Sequence, residues 1–237
     1  QGMILAEDGQ KMSKRYGNVV NPDEMVADYG ADSLRLYEMF LGPIEQHKPW
    51  NTKGIEGVHR FLKKFWRLVH DSENNFDVVD ENPTKEEYKA LHKAIKKVSE
   101  DNERFSFNTS VSTFMIAVNE LTDLKCKKKE IIEGLTILMN PHCPYISEEI
   151  WEKLGHSESI TKAQWPVFVK DYLVESSFAY PVSFNGKMRF KLELPLDLSK
   201  DAVEKEVLSN EQSGRYLEGK APKKGIVVPG RIVNIVV

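Results

Sequence analysis

Apolar positions recur every three or four residues through most of the first two thirds of the chain, then every two residues near its end. Helices are therefore expected first and strands afterwards. Asn21-Pro22-Asp23-Glu24 reads as a helix start, with Asn21 as the cap, Pro22 in the first position and two acids facing the helix dipole. That helix is expected to stop at Gly30. A second, from Asp32 to Leu41, puts Leu34, Tyr37 and Leu41 on one side and closes at Gly42-Pro43. From Asn51 or Thr52 a long helix carries Ile55, Val58, Leu62, Phe65 and Val69 on one face. Residues 71–83 are polar and read as a loop. Thr84 with Glu87 makes a capping box ahead of Tyr88, Leu91, Ile95 and Val98. Two more helices follow, about Thr109 to Leu124 and Lys129 to Met139, completing an antiparallel helical core. The run Pro141-His142-Cys143-Pro144 ends the last of them. Ser147 to Leu154 reads as a short helix that lays Ile150, Trp151 and Leu154 on the bundle, with Trp151 read as core rather than as a base-stacking platform.

Beyond a linker over about 165–177 the period changes. Tyr180, Val182 and Phe184 alternate into Asn185-Gly186, and Met188, Phe190, Leu192 and Leu194 alternate out of it, which is a hairpin pattern. Lys187, Arg189 and Lys191 then fall on the opposite face of the second strand. A helical segment from Ser199 to about Ser209 precedes a second strand pair, 223–228 and 231–236, turned at Pro229-Gly230. The fold class expected is multidomain: a mainly α bundle followed by a small α+β domain.

Composition narrows the chemistry. With 237 residues, 41% hydrophobic and 29% charged, the chain can bury ordinary cores, and a net charge of -3 places any basic surface locally. Residues 178–237 hold ten Lys and Arg against seven Asp and Glu, so this end is the basic one. On the long helix Arg60, Lys64 and Arg67 form a stripe, readable as a solvated face or as phosphate contacts. Lys89, His92, Lys93, Lys96 and Lys97 cover much of the next helix. Cys126 and Cys143 have no partners at metal-ligand spacing and read as reduced thiols of a cytoplasmic protein. His142 beside Cys143 suits buried packing better than a metal, so no metal site is expected. No apolar run reaches membrane-spanning length and no signal peptide stands at the start.

The stretch from Gly9 to Pro22 is the one that carries chemistry. Lys11 and Lys14, three apart and separated by Met12 and Ser13, lie between Gly9 and Gly17, which permit a loop to close. Two ammonium groups on flexible stems suit a polyphosphate whose leaving oxygens gain charge in the transition state. Taken alone, such a run is also an ordinary solvated loop.

The run Lys11-Met12-Ser13-Lys14 resembles the KMSKS signature of class I aminoacyl-tRNA synthetases, with Arg15 where the family has a second serine. Gly17-Asn18-Val19-Val20-Asn21-Pro22 continues that pattern. Tyr29 to Phe40, Gly42 to Gln46, Lys48 to Thr52, Asn140 to Trp151 and Val228 to Val237 resemble the bacterial-type leucyl-tRNA synthetases in particular, so the likeness covers essentially the whole chain. The resemblance implies ATP binding by Lys11, Met12, Ser13 and Lys14, with Lys11 and Lys14 catalytic and Mg as the counter-ion of ATP. It implies tRNA-Leu as partner, leucine as substrate of the full enzyme, a monomer, and no membrane.

On that basis residues 1–31 are expected to end a catalytic domain. Residues 32–166 would form an anticodon-binding-type bundle, 167–177 a linker, and 178–237 a carboxyl-terminal tRNA-binding domain. Arg60, Lys64, Arg67, Lys187, Arg189, Lys191, Lys223, Lys224 and Arg231 are its candidate tRNA contacts. No GxGxxG or Walker loop occurs, and the chain begins with Gln1, so it reads as the carboxyl-terminal part of a longer protein that is inactive alone. The rivals are a stand-alone tRNA-binding module, one subunit of a split synthetase, and a structural helical adaptor.

Overall fold

A computed structural model describes residues 2–174, 177–217, 219 and 221–237, divided into two compact units, 1–173 and 174–237.

The first unit is helical. A two-residue strand, β1 (Ile4–Leu5), pairs in parallel with β2 (Lys48–Pro49). Between them lie α1 (Pro22–Tyr29) and α2 (Ala31–Phe40). The start of α1 is as expected: Asn21 accepts the N–H of Asp23 and Pro22 occupies the first turn. Gly30 separates the two helices at φ 87°, a conformation that side-chain-bearing residues avoid. The bundle follows as α3 (Thr52–Leu68), α4 (Lys85–Glu103), α5 (Phe107–Asp123), α6 (Lys129–Met139) and α7 (Pro144–Lys153). Asn51 caps α3, and the Thr84–Glu87 capping box of α4 is fully formed. Ile55, Val58, Phe65, Ile95, Val98, Val111, Phe114, Val118, Leu121, Ile132 and Leu135 fill one core. Met12, Val20, Met25 and Tyr29 pack against that same core, so residues 1–31 are continuous with the bundle.

One expectation about this unit changes. Helix α7 begins at Pro144, three residues earlier than expected, because a proline at the first position lacks only an N–H that has no intrahelical partner anyway. The next two N–H groups, of Tyr145 and Ile146, are accepted by the carboxylate of Asp32 on α2, at 3.2 and 2.7 Å. Within the expected linker, residues 168–173 pack on the bundle. Phe168 tucks against the core, Tyr172 stacks on Tyr88 and His92 of α4 at 4.3 and 4.5 Å, and the Val169 N–H donates to His92 Nδ1. Aromatic burial holds the segment down through a 3-10 turn at Lys170–Leu173. The part of the linker at 175 and 176 lies outside the described residues.

The second unit is a four-stranded sheet with two helices. Its strands are β3 (Ser177–Phe184), β4 (Lys187–Pro195), β5 (Lys224–Val228) and β6 (Ile232–Val236), in the order β4-β3-β6-β5. The hairpin pairs β3 and β4 are antiparallel, as are β5 and β6, while β3 and β6 run parallel. Asn185 and Gly186 turn the first hairpin with φ of 48° and 79°, the geometry that favours Asn-Gly. Helix α8 (Lys200–Ser209) matches the expected segment, and α9 (Glu211–Leu217) adds a second helix that the apolar pattern does not announce. Tyr180, Val182, Phe184, Phe190, Val203, Val207, Val233 and Ile235 form a core of their own.

The even alternation expected along β4 fails at one point. The register shifts between Val182 and Ser183, so that Val182 faces Phe190, Ser183 faces Met188 and Phe184 faces Lys187, leaving Arg189 as the extra residue of a β-bulge. Cross-strand partners share a face. Lys187 therefore lies on the same side as the buried Phe184, Lys191 remains on the open side opposite Pro181, and Met188 is 60% exposed. The single face carrying all three cations does not exist, because the bulge inverts the strand's parity.

Candidate nucleotide loop and nucleic-acid interface

The lysine loop is organised by its neighbour Asn18. Its Oδ1 accepts the N–H of Ser13 at 2.8 Å and its Nδ2 donates to the carbonyl of Lys11 at 3.4 Å, closing the segment into a small ring. Ser13 in turn caps a 3-10 turn at Lys14–Tyr16 by accepting the N–H of Arg15, and Gly17 ends it at φ 64°. Met12 points inward against the core. Lys11, Lys14 and Arg15 are left exposed. Among the described residues, neither lysine is held by an acidic partner. The loop thus presents two free ammonium groups on a backbone that is already shaped. Sequence reasoning assigns Asn18 no role beyond the motif; its capacity to serve both a donor and an acceptor is the signal that identifies it.

Helix α1 joins this loop to α3. The Ser33 hydroxyl donates to the Tyr29 carbonyl at 2.7 Å, so at 3.1 Å it accepts from His59 Nδ1, which fixes the ring nitrogen that carries hydrogen. The Tyr29 ring meets His59 edge-on at 5.8 Å. One residue beyond, Arg60 starts the α3 stripe. Lys64 is drawn to Asn119 of α5 at 2.6 Å, while Arg60 and Arg67 are exposed and have no acidic partner among the described residues. Lys63, also exposed on α3, extends the stripe beyond the three residues expected from spacing. Helix α4 is different. Lys93 pairs with Glu120 at 3.3 Å, Lys97 pairs with Asp101, and His92 is buried under Tyr172. Arg60, Lys63 and Arg67 thus give α3 an exposed cationic face with no acidic partner among the described residues.

The cysteines and His142 are structural. Burial pushes the Cys126 thiol up to about 12 and raises Cys143 as well, so neither is a nucleophile. His142 is 1% exposed and set edge-on to Phe107 and Phe114 at 6.0 and 5.0 Å, and desolvation lowers its pKa to about 4. Among the described residues no three His, Cys, Asp or Glu converge on a possible metal site. A cavity of ≈ 590 Å³ opens between Met3, Ile4, Met39, Ile44, Phe105 and His142, but no residue of the lysine loop lines it.

In the second unit Lys191 and Lys224 stand on the open side of the sheet, on the two edge strands β4 and β5, a side that also exposes Ile226 and Val228 of β5 and Ile232 of β6. Lys223 donates its N–H to the Val236 carbonyl, and Arg231 is exposed in the turn before β6. Arg189 lies over the ring of Tyr216 on α9, 5.0 Å from its centre.

Among the described residues no helix is long and apolar enough to cross a membrane. Residues 85–205 match the family model of the anticodon-binding domain of tRNA ligases, and residues 1–49 match that of class I tRNA synthetases for I, L, M and V. The leucine-tRNA ligase of Christiangramia forsetii is 61% identical over 98% of this chain and 24% of its own length. That of Cytophaga hutchinsonii is 58% identical over 98% and 25%. The chain thus spans about a quarter of the curated relatives it matches. A solved ternary complex of Agrobacterium radiobacter K84 agnB2 LeuRS, tRNA and LeuAMS covers all of this chain and 33% of that one, at 29% identity and TM-score 0.68. Mycobacterium tuberculosis methionyl-tRNA synthetase shares the fold over 64% of this chain and 37% of its own, at 15% identity and TM-score 0.52. With the anticodon-binding model matching just over half of its residues and leucine-tRNA ligases aligned along nearly its whole length, the chain belongs to the family of the anticodon-binding domain of tRNA ligases.

Proposed function

We propose that this chain is the part of a cytoplasmic, monomeric leucine-tRNA ligase that supplies the ATP-phosphate loop and the tRNA-holding surfaces. The observation that carries the reading is the pair of free lysines on the loop closed by Asn18, set on the same compact unit as the cationic face of α3. In the full reaction leucine and ATP give leucyl-adenylate and pyrophosphate, and the leucyl group then passes to tRNA-Leu. Lys11 and Lys14 bind the β- and γ-phosphates and stabilise the charge that builds as pyrophosphate leaves; Mg travels with ATP as its counter-ion. Ser13 and Met12 shape the loop. Residues 1–31 act with the catalytic domain and 32–166 hold the tRNA body. Residues 178–237 add phosphate contacts through Lys187, Lys191, Lys223, Lys224 and Arg231. By this reading the chain, which spans about a quarter of its relatives' length, by itself binds RNA without charging it.

Two measurements test this. In a full-length ligase bearing this segment, Lys14→Ala is expected to slow leucine-dependent ATP–pyrophosphate exchange by roughly 100-fold or more while leaving the tRNA Kd unchanged. Exchange at the parental rate would remove the loop from the reaction. For the chain itself, tRNA-Leu is titrated at several salt concentrations. Affinity is expected to fall as salt rises, and replacing Arg60, Lys63 and Arg67 by Ala should reduce the log–log slope by about one for each phosphate that is no longer neutralised. Absence of binding at low salt would favour the structural adaptor.

A further inference from the structure

The β-bulge in β4 is the feature of the second unit that neither its core nor its phosphate contacts require. A bulge re-aims the side chains beside it. Here it takes Arg189 out of the ladder and lays its guanidinium on the ring of Tyr216, 5.0 Å from the centre, while Tyr216 is itself backed by the buried Phe184 at 5.2 Å. Arg189 remains exposed, so the outer side of the guanidinium faces solvent. The same inversion places Lys187 on the Phe184 side, two residues away along the strand. The hairpin tip that carries both is fixed. The Asn185 N–H donates to the Ile235 carbonyl, Asn185 Oδ1 accepts the N–H of Val237, and Asn234 Oδ1 accepts the N–H of Gly186.

We propose that Arg189, seated on Tyr216, is a stacking platform for an unpaired or terminal base of a folded RNA, with Lys187 taking the adjoining phosphate. A planar guanidinium set over an aromatic ring offers its free side to a base and loses little freedom in doing so. A lysine point charge cannot replace it, although it would serve equally well against a phosphate. The pinned tip keeps cation and plane in a fixed relation. The platform rests on the reading that the second unit binds tRNA, and it adds to that reading a contact that does not depend on charge.

The test uses the whole chain and tRNA-Leu across a salt series, with Arg189→Lys, Lys187→Ala and a Lys191→Ala, Lys224→Ala pair, each checked for an unchanged far-UV spectrum and melting profile. Arg189→Lys is expected to weaken binding about fivefold to tenfold at every salt concentration with the slope unchanged, the size of one base stack. Lys187→Ala should lower the slope by about one. Parental affinity for Arg189→Lys, with reduced slopes for the lysine variants, would overturn the platform and leave the unit as a phosphate-binding surface. Parental affinity for all three would overturn both the platform and the reading on which it rests.

Discussion

His142 shows how much one buried side chain can set. Both ring nitrogens are buried without a hydrogen-bond partner among the described residues, and Phe107 and Phe114 meet the ring edge-on. Desolvation, with the positive charge of Arg35 added, lowers its pKa from 6.5 to about 4. The folded state therefore binds the proton less readily than the unfolded chain. Stability from this group is complete above about pH 6.5 and is lost as pH falls from there towards about 4, because only the unfolded chain gains a proton in that window. The amount is about 3 kcal/mol, at 1.36 kcal/mol per unit. His142→Phe keeps the aromatic edges and removes the titration. Urea unfolding of the parent is expected to lose midpoint steeply between pH 6.5 and 4.5, with a flatter profile in His142→Phe and no loss of stability at pH 7.5. Equal slopes in both proteins would place the acid sensitivity elsewhere.

At the scale of elements, what can be read in the sequence is what is local. Asn21, Asn51 and the Thr84–Glu87 box announce helix starts because a cap bonds within three residues of itself, and Asn185-Gly186 announces a turn because φ > 0 is a property of the residue. The same locality makes Lys11 and Lys14 recognisable. What escapes depends on partners distant in sequence. The start of α7 is stabilised by Asp32, more than a hundred residues earlier, and the segment after Trp165 is ordered by His92 and Tyr88. No spacing rule applied to 187–194 reveals that β3 meets β4 with an extra residue, yet that residue decides which cations share a face. The α3 stripe and the Lys97–Asp101 pair, four residues apart on α4, are legible as spacing, whereas the Lys93–Glu120 pair joins two helices that only the folded chain brings together. Asn18 is hidden for a different reason: its role lies in a loop, where hydrogen bonding follows no period.

The whole molecule contains two cores of unequal size, and this has a measurable consequence. The first unit buries aromatic and aliphatic side chains from its helices, while the second, residues 174–237, encloses a much smaller set around Tyr180, Val207 and Ile235. Small domains bury a lower fraction of their surface and are correspondingly marginal. Unfolding is therefore expected in two steps, with the smaller unit melting first and with a lower denaturant dependence, since that slope follows the surface exposed. The sequence provides the probe. All four tryptophans, Trp50, Trp66, Trp151 and Trp165, belong to the first unit, so their fluorescence reports its unfolding while far-UV circular dichroism reports both. The dichroism curve should begin to fall at a lower urea concentration than the fluorescence. Ile235→Val, expected to cost about 1 kcal/mol, should move only the early step, and Leu135→Ala, about 2–5 kcal/mol, only the late one. Coincident curves that move together in both variants would mean that the two cores unfold as one.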